Sequence, residues 1–108
     1  MTILRLWSGW ADGDRADRYD EPLNRTIAPA IVRRDLAGLA EFTVWRRRAA
    51  ETDGPDEFLT AMTFEDYAAI RAFTGRDESV SVVPDAARAL LDRHDEQSRH
   101  YELVHRHR

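Results

Sequence analysis

Two side chains of this sequence combine reactive chemistry with an unexpected position, and the first is His100. It lies within residues 97–105, which are predicted to form a strand, where neither strand propensity nor packing favours histidine. The ordinary pKa of an imidazole, about 6.5, suits a general base at neutral pH. A hydrogen-bonded histidine of the core or of an interface is the alternative, and it is the commoner situation.

The second is Arg5, which lies among apolar residues such as Leu4, Leu6 and Trp7 on a strand that should be central in the sheet. A guanidinium buried without a partner is very costly, so Arg5 must be paired or must face a wet cavity. A salt bridge to Glu102 on the last strand would satisfy it. An anchor for an anionic substrate or a developing oxyanion is the alternative. Arg5 and His100 are therefore the predicted catalytic residues.

Aromatic residues could supply the wall of a ligand pocket. The chain has three tryptophans in 108 residues, and Trp7 and Trp45 are predicted to stack against a flat aromatic ligand. Filling of the core or anchoring of an interface would explain them as well. Phe64 and Glu102 complete the predicted set of substrate-binding residues.

Composition argues against several other kinds of site. The chain has no cysteine and no lysine, which rules out disulfides, thiolate ligands, cysteine nucleophiles and lysine Schiff bases. His100 and His105 are an odd number of residues apart and would point to opposite faces of a strand, so no metal site is predicted. A net charge of −4 argues against nucleic-acid binding.

The chain also lacks the marks of a membrane or secreted protein. No run approaches the roughly 20 apolar residues needed to cross a bilayer. The first residues lack the basic, apolar and small-residue regions of a signal peptide, so we expect a cytoplasmic protein without membrane contact. The length suits a single domain over residues 1–108.

The elements that must position these side chains alternate between strands and helices. Strands are predicted at residues 2–10, 39–48, 57–64 and 97–105, helices at 16–31, 65–73 and 85–91, a turn at 51–55 and an extended segment at 80–84. The order is β-α-β-β-α-β with an extra short helix. This is the split βαβ or ferredoxin-like pattern of an α+β protein with a four-stranded antiparallel sheet.

The first predicted helix carries a distinctive apolar stripe. Tyr19, Leu23, Ile27 and Ile31 are each four residues apart, as expected for one face of a helix. Because proline removes a helix hydrogen bond, we expect a kink or a break near Pro29.

Two charged segments have simpler interpretations. His94, between Arg93 and Asp95, is predicted to be a solvated cation at the end of the last short helix. The run of arginines at residues 46–48 is predicted to be a solvated strand edge, since charges discourage pairing at an edge.

Both faces of the predicted sheet carry large apolar side chains. The first strand places Ile3 and Trp7 on one face, with Leu4, Leu6 and Trp10 on the other. Two helices can cover one face, and an uncovered apolar face would invite aggregation. A second copy of the chain, packed sheet to sheet as a homodimer, is the economical solution.

The third strand and the helix after it resemble a known family. The segment Phe58-Leu59-Thr60-Ala61-Met62-Thr63-Phe64, followed by residues 68–75, resembles the antibiotic biosynthesis monooxygenase group, in which a strand ending in an aromatic residue leads into a helix that closes with phenylalanine. Residues 82–84 and 100–102 resemble an actinobacterial branch of that group. The resemblance spans residues 3–104.

This resemblance implies a dimeric α+β barrel and small-molecule chemistry in secondary metabolism. The implied reactions are oxygenation, cyclisation or isomerisation of an aromatic or polyketide-like substrate, without a bound organic cofactor. Haem-degrading members carry tryptophan where this chain has Phe64, and an asparagine on the first strand. Asn24 is the only asparagine and lies in the first helix, so haem degradation is not expected. A non-catalytic ligand-binding or structural dimer of the same fold is the alternative.

Overall fold

The computed structural model describes residues 1–49, 54–75 and 84–108. The strands are β1 (Ile3–Ala11), β2 (Leu39–Arg47), β3 (Asp56–Phe64), β4 (Arg93–His94) and β5 (Arg99–Glu102). The helices are α1 (Asp14–Pro22), a π-helical segment (Leu23–Ile27), α2 (Ala28–Arg33), α3 (Tyr67–Thr74) and α4 (Asp85–Arg88). The predicted turn at 51–55 and extended segment at 80–84 lie largely outside the described residues.

The strands form one antiparallel sheet with β1 at its centre. β1 pairs with β3 on one side and with both β4 and β5 on the other, while β2 pairs with β3. The α+β, ferredoxin-like fold predicted from the sequence is confirmed, with the two-residue strand β4 as an addition to the four expected strands. This topology places β5 directly beside β1, which brings residues from the two ends of the chain together.

The helices cover one face of this sheet. The side chains that β1 and β3 direct to that face include Ile3, Phe58 and Phe64, which are fully buried. One cluster joins Ile3 and Phe64 to α3, and a second joins Phe58 to α1. The opposite face keeps Leu4, Leu6 and Trp10 partly exposed, as the alternation along β1 predicted.

Helix α3 forms where its capping residues predict it. The Asp66 side chain accepts a hydrogen bond from the Ala69 backbone N–H at 2.8 Å, which satisfies a donor at the helix start. Gly75 ends the helix with φ of 78°, a conformation that glycine adopts at little cost. Ile70 and Phe73 are buried between these caps, so the local signals and the apolar face agree.

The long helical region is irregular from its first proline to the residues just before the second. A π-helical segment follows Pro22, and α2 then begins at Ala28 with Pro29 in its first turn. A step of four residues overshoots one α-helical turn of 3.6 residues. The wider π turn offsets that overshoot and keeps the four-residue stripe on one face. The junction between the π segment and α2, at Ile27 and Ala28, lies beside Pro29, where a kink or a break was expected.

The segment predicted as the end of a helix at His94 is instead the strand β4. The Asp92 N–H donates to the Trp10 carbonyl at 2.7 Å, and the Asp95 N–H donates to the Ser8 carbonyl at 2.8 Å. The Asp95 carboxylate also accepts from the Ser8 N–H at 2.9 Å. Helix α4 ends at Arg88, and the backbone of residues 92–95 forms hydrogen bonds with the edge of β1 instead of continuing the helix. The prediction of a helix-end cation at His94 is wrong.

The prediction of a solvated strand edge at residues 46–48 is wrong for Arg46, whose side chain is 14% exposed. Its guanidinium donates to Asp56 at 2.7 Å, to Asp20 at 2.8 Å and to Asp17 at 2.9 Å, and it lies over the Phe58 ring. Even spacing along β2 turns Arg46 toward the helices with Val44. The network ties α1 to β2 and β3.

The Asp56 carboxylate is the buried acceptor of this network. Burial acts to raise the pKa of Asp56, but hydrogen bonds from Arg46 and the Ala49 N–H, with the nearby charges of Arg46 and Arg48, lower it below its ordinary value. A group whose pKa is lowered on folding stabilises the protein above its unfolded pKa of about 3.9. That stability is lost as the pH falls through the folded pKa.

We therefore predict that Asp56→Asn lowers the free energy of unfolding by about 2 kcal/mol at pH 7, because charge-assisted hydrogen bonds to Arg46 are lost. Below pH about 4 the difference from the unsubstituted protein should shrink. Urea unfolding at a series of pH values measures both quantities. Asp17→Asn is the matched control, since Asp17 contacts the same guanidinium but is exposed. Equal losses in the two variants would contradict the prediction.

Candidate functional site

Arg5 lies at the centre of the covered face of the sheet. It is 3% exposed, with Met62 of β3 opposite it on one side and His100 of β5 on the other. Its guanidinium lies 5.5 Å from the centre of the Phe73 ring. Burial lowers the pKa of Arg5 to about 10, which is still well above neutral pH. The covered face therefore contains a permanent, poorly hydrated cation.

His100 holds this cation directly. The Arg5 Nη1 atom lies 2.9 Å from the Nε2 atom of His100. Because a guanidinium carries donors only, Nε2 must be the acceptor, and the proton of the neutral ring then lies on Nδ1. The His100 ring is partly buried and meets the Tyr67 ring edge to face at 6.0 Å. The predicted catalytic pair is thus in direct contact across β1 and β5.

A small cavity adjoins Arg5 between the sheet and the helices. Its volume is about 40 Å³, enough for about three water molecules. Three kinds of residue line it: the cation, four polar or amphipathic side chains, and a larger apolar set. They are Arg5; Trp7, Tyr19, Thr60 and Ser98; and Leu23, Ile27, Ile31, Phe42, Met62, Phe73 and Pro84. Such a site suits a mostly apolar ligand with one negative group.

Tyr19 adds a second polar group to this wall. It is 1% exposed and packs edge to face against Phe58 at 5.0 Å. Burial raises the pKa of Tyr19 to about 12, so its hydroxyl stays protonated at neutral pH and can donate a hydrogen bond. The cavity therefore presents donors from both Arg5 and Tyr19, which favours an oxygen-bearing ligand.

The structure brings some of the predicted substrate-binding residues together and separates others. Trp7 lines the cavity, and its Nε1 donates to the Asp95 carbonyl at 2.9 Å. Trp45 is 60% exposed and faces away from the helices beside Leu59, so it shares no pocket with Trp7.

The other two predicted substrate-binding residues, Phe64 and Glu102, do not line the cavity. Phe64 is fully buried and packs against Phe73 with ring centres 5.9 Å apart, so it supports the cavity wall from behind. Glu102 is exposed opposite Ile3, at the end of β5. A hydrogen bond to His100 stands where the sequence suggested a salt bridge between Arg5 and Glu102.

Sequence reasoning did not assign the helical stripe to the cavity. Tyr19, Leu23, Ile27 and Ile31 all line it, although their four-residue spacing indicated only one face of a helix. Phe42 and Phe73 come from β2 and α3, and the sequence contains no signal that places them opposite the stripe. Ser98 was identifiable only by sharing a strand face with His100.

Metal-binding and membrane-spanning features are absent from the described part of the chain. No group of three or more metal-ligating side chains occurs among residues 1–49, 54–75 and 84–108. Within the same residues, no helix is both long enough and apolar enough to span a membrane.

Comparison with solved structures reveals three similar folds. SnoaB from Streptomyces nogalater, described as a cofactor-independent oxygenase and solved as a point mutant, has a TM-score of 0.67 and 16% identity over 98% of this chain and 96% of its own. Rv0793 from Mycobacterium tuberculosis has a TM-score of 0.64 and 14% identity over the whole of both chains. SO0527 from Shewanella oneidensis has a TM-score of 0.64 and 17% identity over 93% of this chain and 90% of its own.

Comparison of sequences gives no match, in contrast to comparison of structures. The chain matches no protein-family model and no curated protein. At identities of 14–17%, the structural matches show the fold alone. The chain therefore has the ferredoxin-like α+β fold found in SnoaB, Rv0793 and SO0527. This is the fold of the single chain that the resemblance to antibiotic biosynthesis monooxygenases implies.

Proposed function

We propose that the protein is an enzyme that binds a small aromatic or polyketide-like molecule at Arg5 and acts on it without a bound organic cofactor. The observation that carries this proposal is the buried Arg5 cation, which faces an apolar cavity and is held by a neutral histidine. A cation in such a place stabilises a phenolate or enolate oxygen far more than it would in water. The similar fold of SnoaB, described as a cofactor-independent oxygenase, supports the same class of chemistry.

The contact between Arg5 and His100 suggests how a proton would move. In the free protein, His100 Nε2 accepts from Arg5. His100 adjoins Arg5 but is not one of the residues that line the cavity, so it would act from behind the guanidinium. When a phenol oxygen approaches the guanidinium, Arg5 can donate to that oxygen instead, which frees Nε2 to take the phenol proton. The products of this exchange are an imidazolium and a phenolate paired with Arg5, so the negative charge forms beside the cation.

The resulting anion can react in two ways. A carbanion-like centre can be oxygenated by O₂, in which a CH₂ group becomes a carbonyl, one oxygen atom enters the product and the other leaves as water. Without O₂, the same proton transfer can serve a cyclisation or an isomerisation. Trp7, in the cavity wall, would contact the flat ring in each case.

A specific observation favours a second candidate, a non-catalytic ligand-binding or structural protein. Nε2 of His100 is already occupied by Arg5, and the cavity of about 40 Å³ is much smaller than the 300 Å³ or more typical of ligand pockets. In this candidate, His100 only positions the guanidinium. The two functions differ in what His100 must be able to do.

Substitutions of His100 separate these roles. Glutamine can accept a hydrogen bond from Arg5 but cannot act as a base, whereas alanine can do neither. If His100 is the base, both His100→Gln and His100→Ala should lower turnover of a phenolic substrate by about 10²–10⁴. If it positions Arg5, His100→Gln should retain activity or ligand binding while His100→Ala loses it.

Arg5→Met tests the anion site itself. This variant should lose binding of an aromatic acid such as 3-hydroxy-2-naphthoate, measured by the intrinsic fluorescence of that ligand, because the buried cation is gone. Thermal melts run alongside show whether the fold survives. Unchanged affinity for the naphthoate in a folded Arg5→Met protein would overturn the proposal.

We also propose that two copies of the chain associate through the open face of the sheet. Trp45 and Tyr101, which are 60% and 50% exposed, lie on that face with the partly buried Leu6 and Leu59. An apolar face of this kind on a small domain favours burial against another surface. Packing of two such sheets would complete the dimeric barrel that the sequence predicts.

Sedimentation equilibrium at micromolar concentration should therefore give about twice the 12.5 kDa chain mass. Leu59→Glu should shift the protein toward the monomer, because Leu59 lies between Ser8 and Trp45 in the middle of the face and a carboxylate there would be desolvated. Arg18→Glu, on the exposed side of α1, is the control. If the unsubstituted chain sediments as a soluble monomer, the dimer proposal is wrong.

A further inference from the structure

The helical region from Leu23 to Arg33 lines two spaces, the small cavity on its sheet side and an open groove on its outer side. Leu23, Ile27 and Ile31 line the small cavity. The residues next to them along the helix line an open groove of about 420 Å³ between this helical region and β2. The groove-lining residues are Asn24, Ala28, Pro29, Val32, Arg33, Phe42 and Val44. Cavity and groove therefore lie on adjoining sides of one helical segment.

Phe42 is the side chain that the two spaces share. It lines the cavity beside Arg5 and also the groove, and with Val32 it lines a further depression of about 180 Å³ toward Leu36. Phe42 is only partly buried, although it lies opposite the buried Met62 of β3. The Phe42 ring therefore borders both the cavity beside Arg5 and the open groove.

The helical segment beside Phe42 has no fully buried residue of its own. Every residue of α2 is at least partly exposed, so little apolar burial fixes this helix on the sheet. The π-helical turn between Pro22 and Pro29 leaves a helix whose bonding pattern is already irregular. A small outward shift of α2 and a rotation of Phe42 would join the groove to the cavity.

The chemistry of the two spaces is complementary to one kind of molecule. The groove is mostly apolar, with Arg33 and Asn24 as polar groups, and Arg5 is the one charged residue among the described residues that line the cavity. A flat aromatic acid could place its ring against Phe42 and Val32 while an anionic oxygen reaches a guanidinium at the inner end. The groove has the volume of an ordinary ligand pocket, which the cavity lacks.

We propose that the groove between α2 and β2 is the outer subsite of the Arg5 cavity and that Phe42 is the gate between them. Flat aromatic acids reach Arg5 through this groove, and Phe42 limits the width of ring that passes. The identity of the ligand rests on the proposed function, whereas the route rests on the shared lining by Phe42.

A unique thiol in the cavity tests the route without reference to any activity. The chain has no cysteine, so Thr60→Cys, on the cavity wall, introduces one reactive sulfur. The rate at which N-phenylmaleimide, a small flat aromatic reagent, modifies this thiol is followed by mass spectrometry. Met62→Cys provides a second thiol on the same wall if the first variant folds poorly.

Three substitutions are then added to this background. Phe42→Ala should raise the labelling rate and Val32→Trp, which fills the groove, should lower it, each by about ten-fold, equivalent to about 1.4 kcal/mol in the barrier. Ala30→Trp is the matched control, because Ala30 is exposed on the same helix but away from the groove. Its rate should stay within about two-fold of the background.

Binding of 3-hydroxy-2-naphthoate to the same variants separates the two proposals. If Arg5→Met abolishes naphthoate binding but Val32→Trp and Phe42→Ala leave the labelling rates unchanged, the Arg5 site stands and the groove is not its access route. If the labelling rates change as expected but the naphthoate does not bind, the route stands and the proposed aromatic acid is wrong. Equal effects of Val32→Trp and Ala30→Trp overturn the gate.

Discussion

Much of this structure depends on keeping one guanidinium out of water. Arg5 lies on the central strand and is 3% exposed, and removing such a charge from water costs several kcal/mol unless hydrogen bonds and charges compensate. His100 supplies one acceptor from β5, and the Phe73 ring supplies a favourable face. The pairing of the last strand with the first is therefore also the pairing that satisfies this cation.

The sheet treats its two faces differently, and that difference separates the candidate site from the candidate interface. The helices enclose Arg5, Trp7 and Tyr19 on one face, where low hydration strengthens electrostatic contacts. On the other face, Trp45 and Tyr101 remain exposed. One strand serves both purposes, because adjacent residues along β1 point in opposite directions. The proposed ligand site and the proposed interface therefore use alternate residues of the same strand.

The first helical region packs irregularly on the sheet, and its residues line both the cavity beside Arg5 and the open groove. Pro22 and Pro29 prevent one continuous α-helix, and the π turn between them keeps the apolar stripe toward the sheet. The helical region that includes α2 lines a small cavity on its sheet side and a larger open groove on its outer side. Helix α1 is fixed by the Arg46 network to Asp17, Asp20 and Asp56. Helix α2 is held differently, by packing of Ile31 against the core and by a hydrogen bond from Arg34, which follows it, to the Phe73 carbonyl.

Local sequence patterns were sufficient for the features that depend on neighbouring residues. The alternation along β1, the capping of α3 by Asp66 and Gly75 and the four-residue stripe from Tyr19 are such patterns, and each has the predicted structure. They were enough to predict the ferredoxin-like order of elements and to single out Arg5 and His100. Such a pattern predicts the same local structure whatever the rest of the fold, because all the residues involved are close together in the sequence.

Contacts between residues far apart in the chain were set by the assembled fold. Cross-strand register makes His100 rather than Glu102 the partner of Arg5. Arg46 joins an ion-pair network because folding brings three aspartates beside it. His94 joins β4 because folding brings the edge of β1 beside it. The same register directs Trp45 to the open face and Phe42 to the cavity. Local propensity is blind to such contacts because their partners are joined by sheet register and helix packing, not by spacing along the chain.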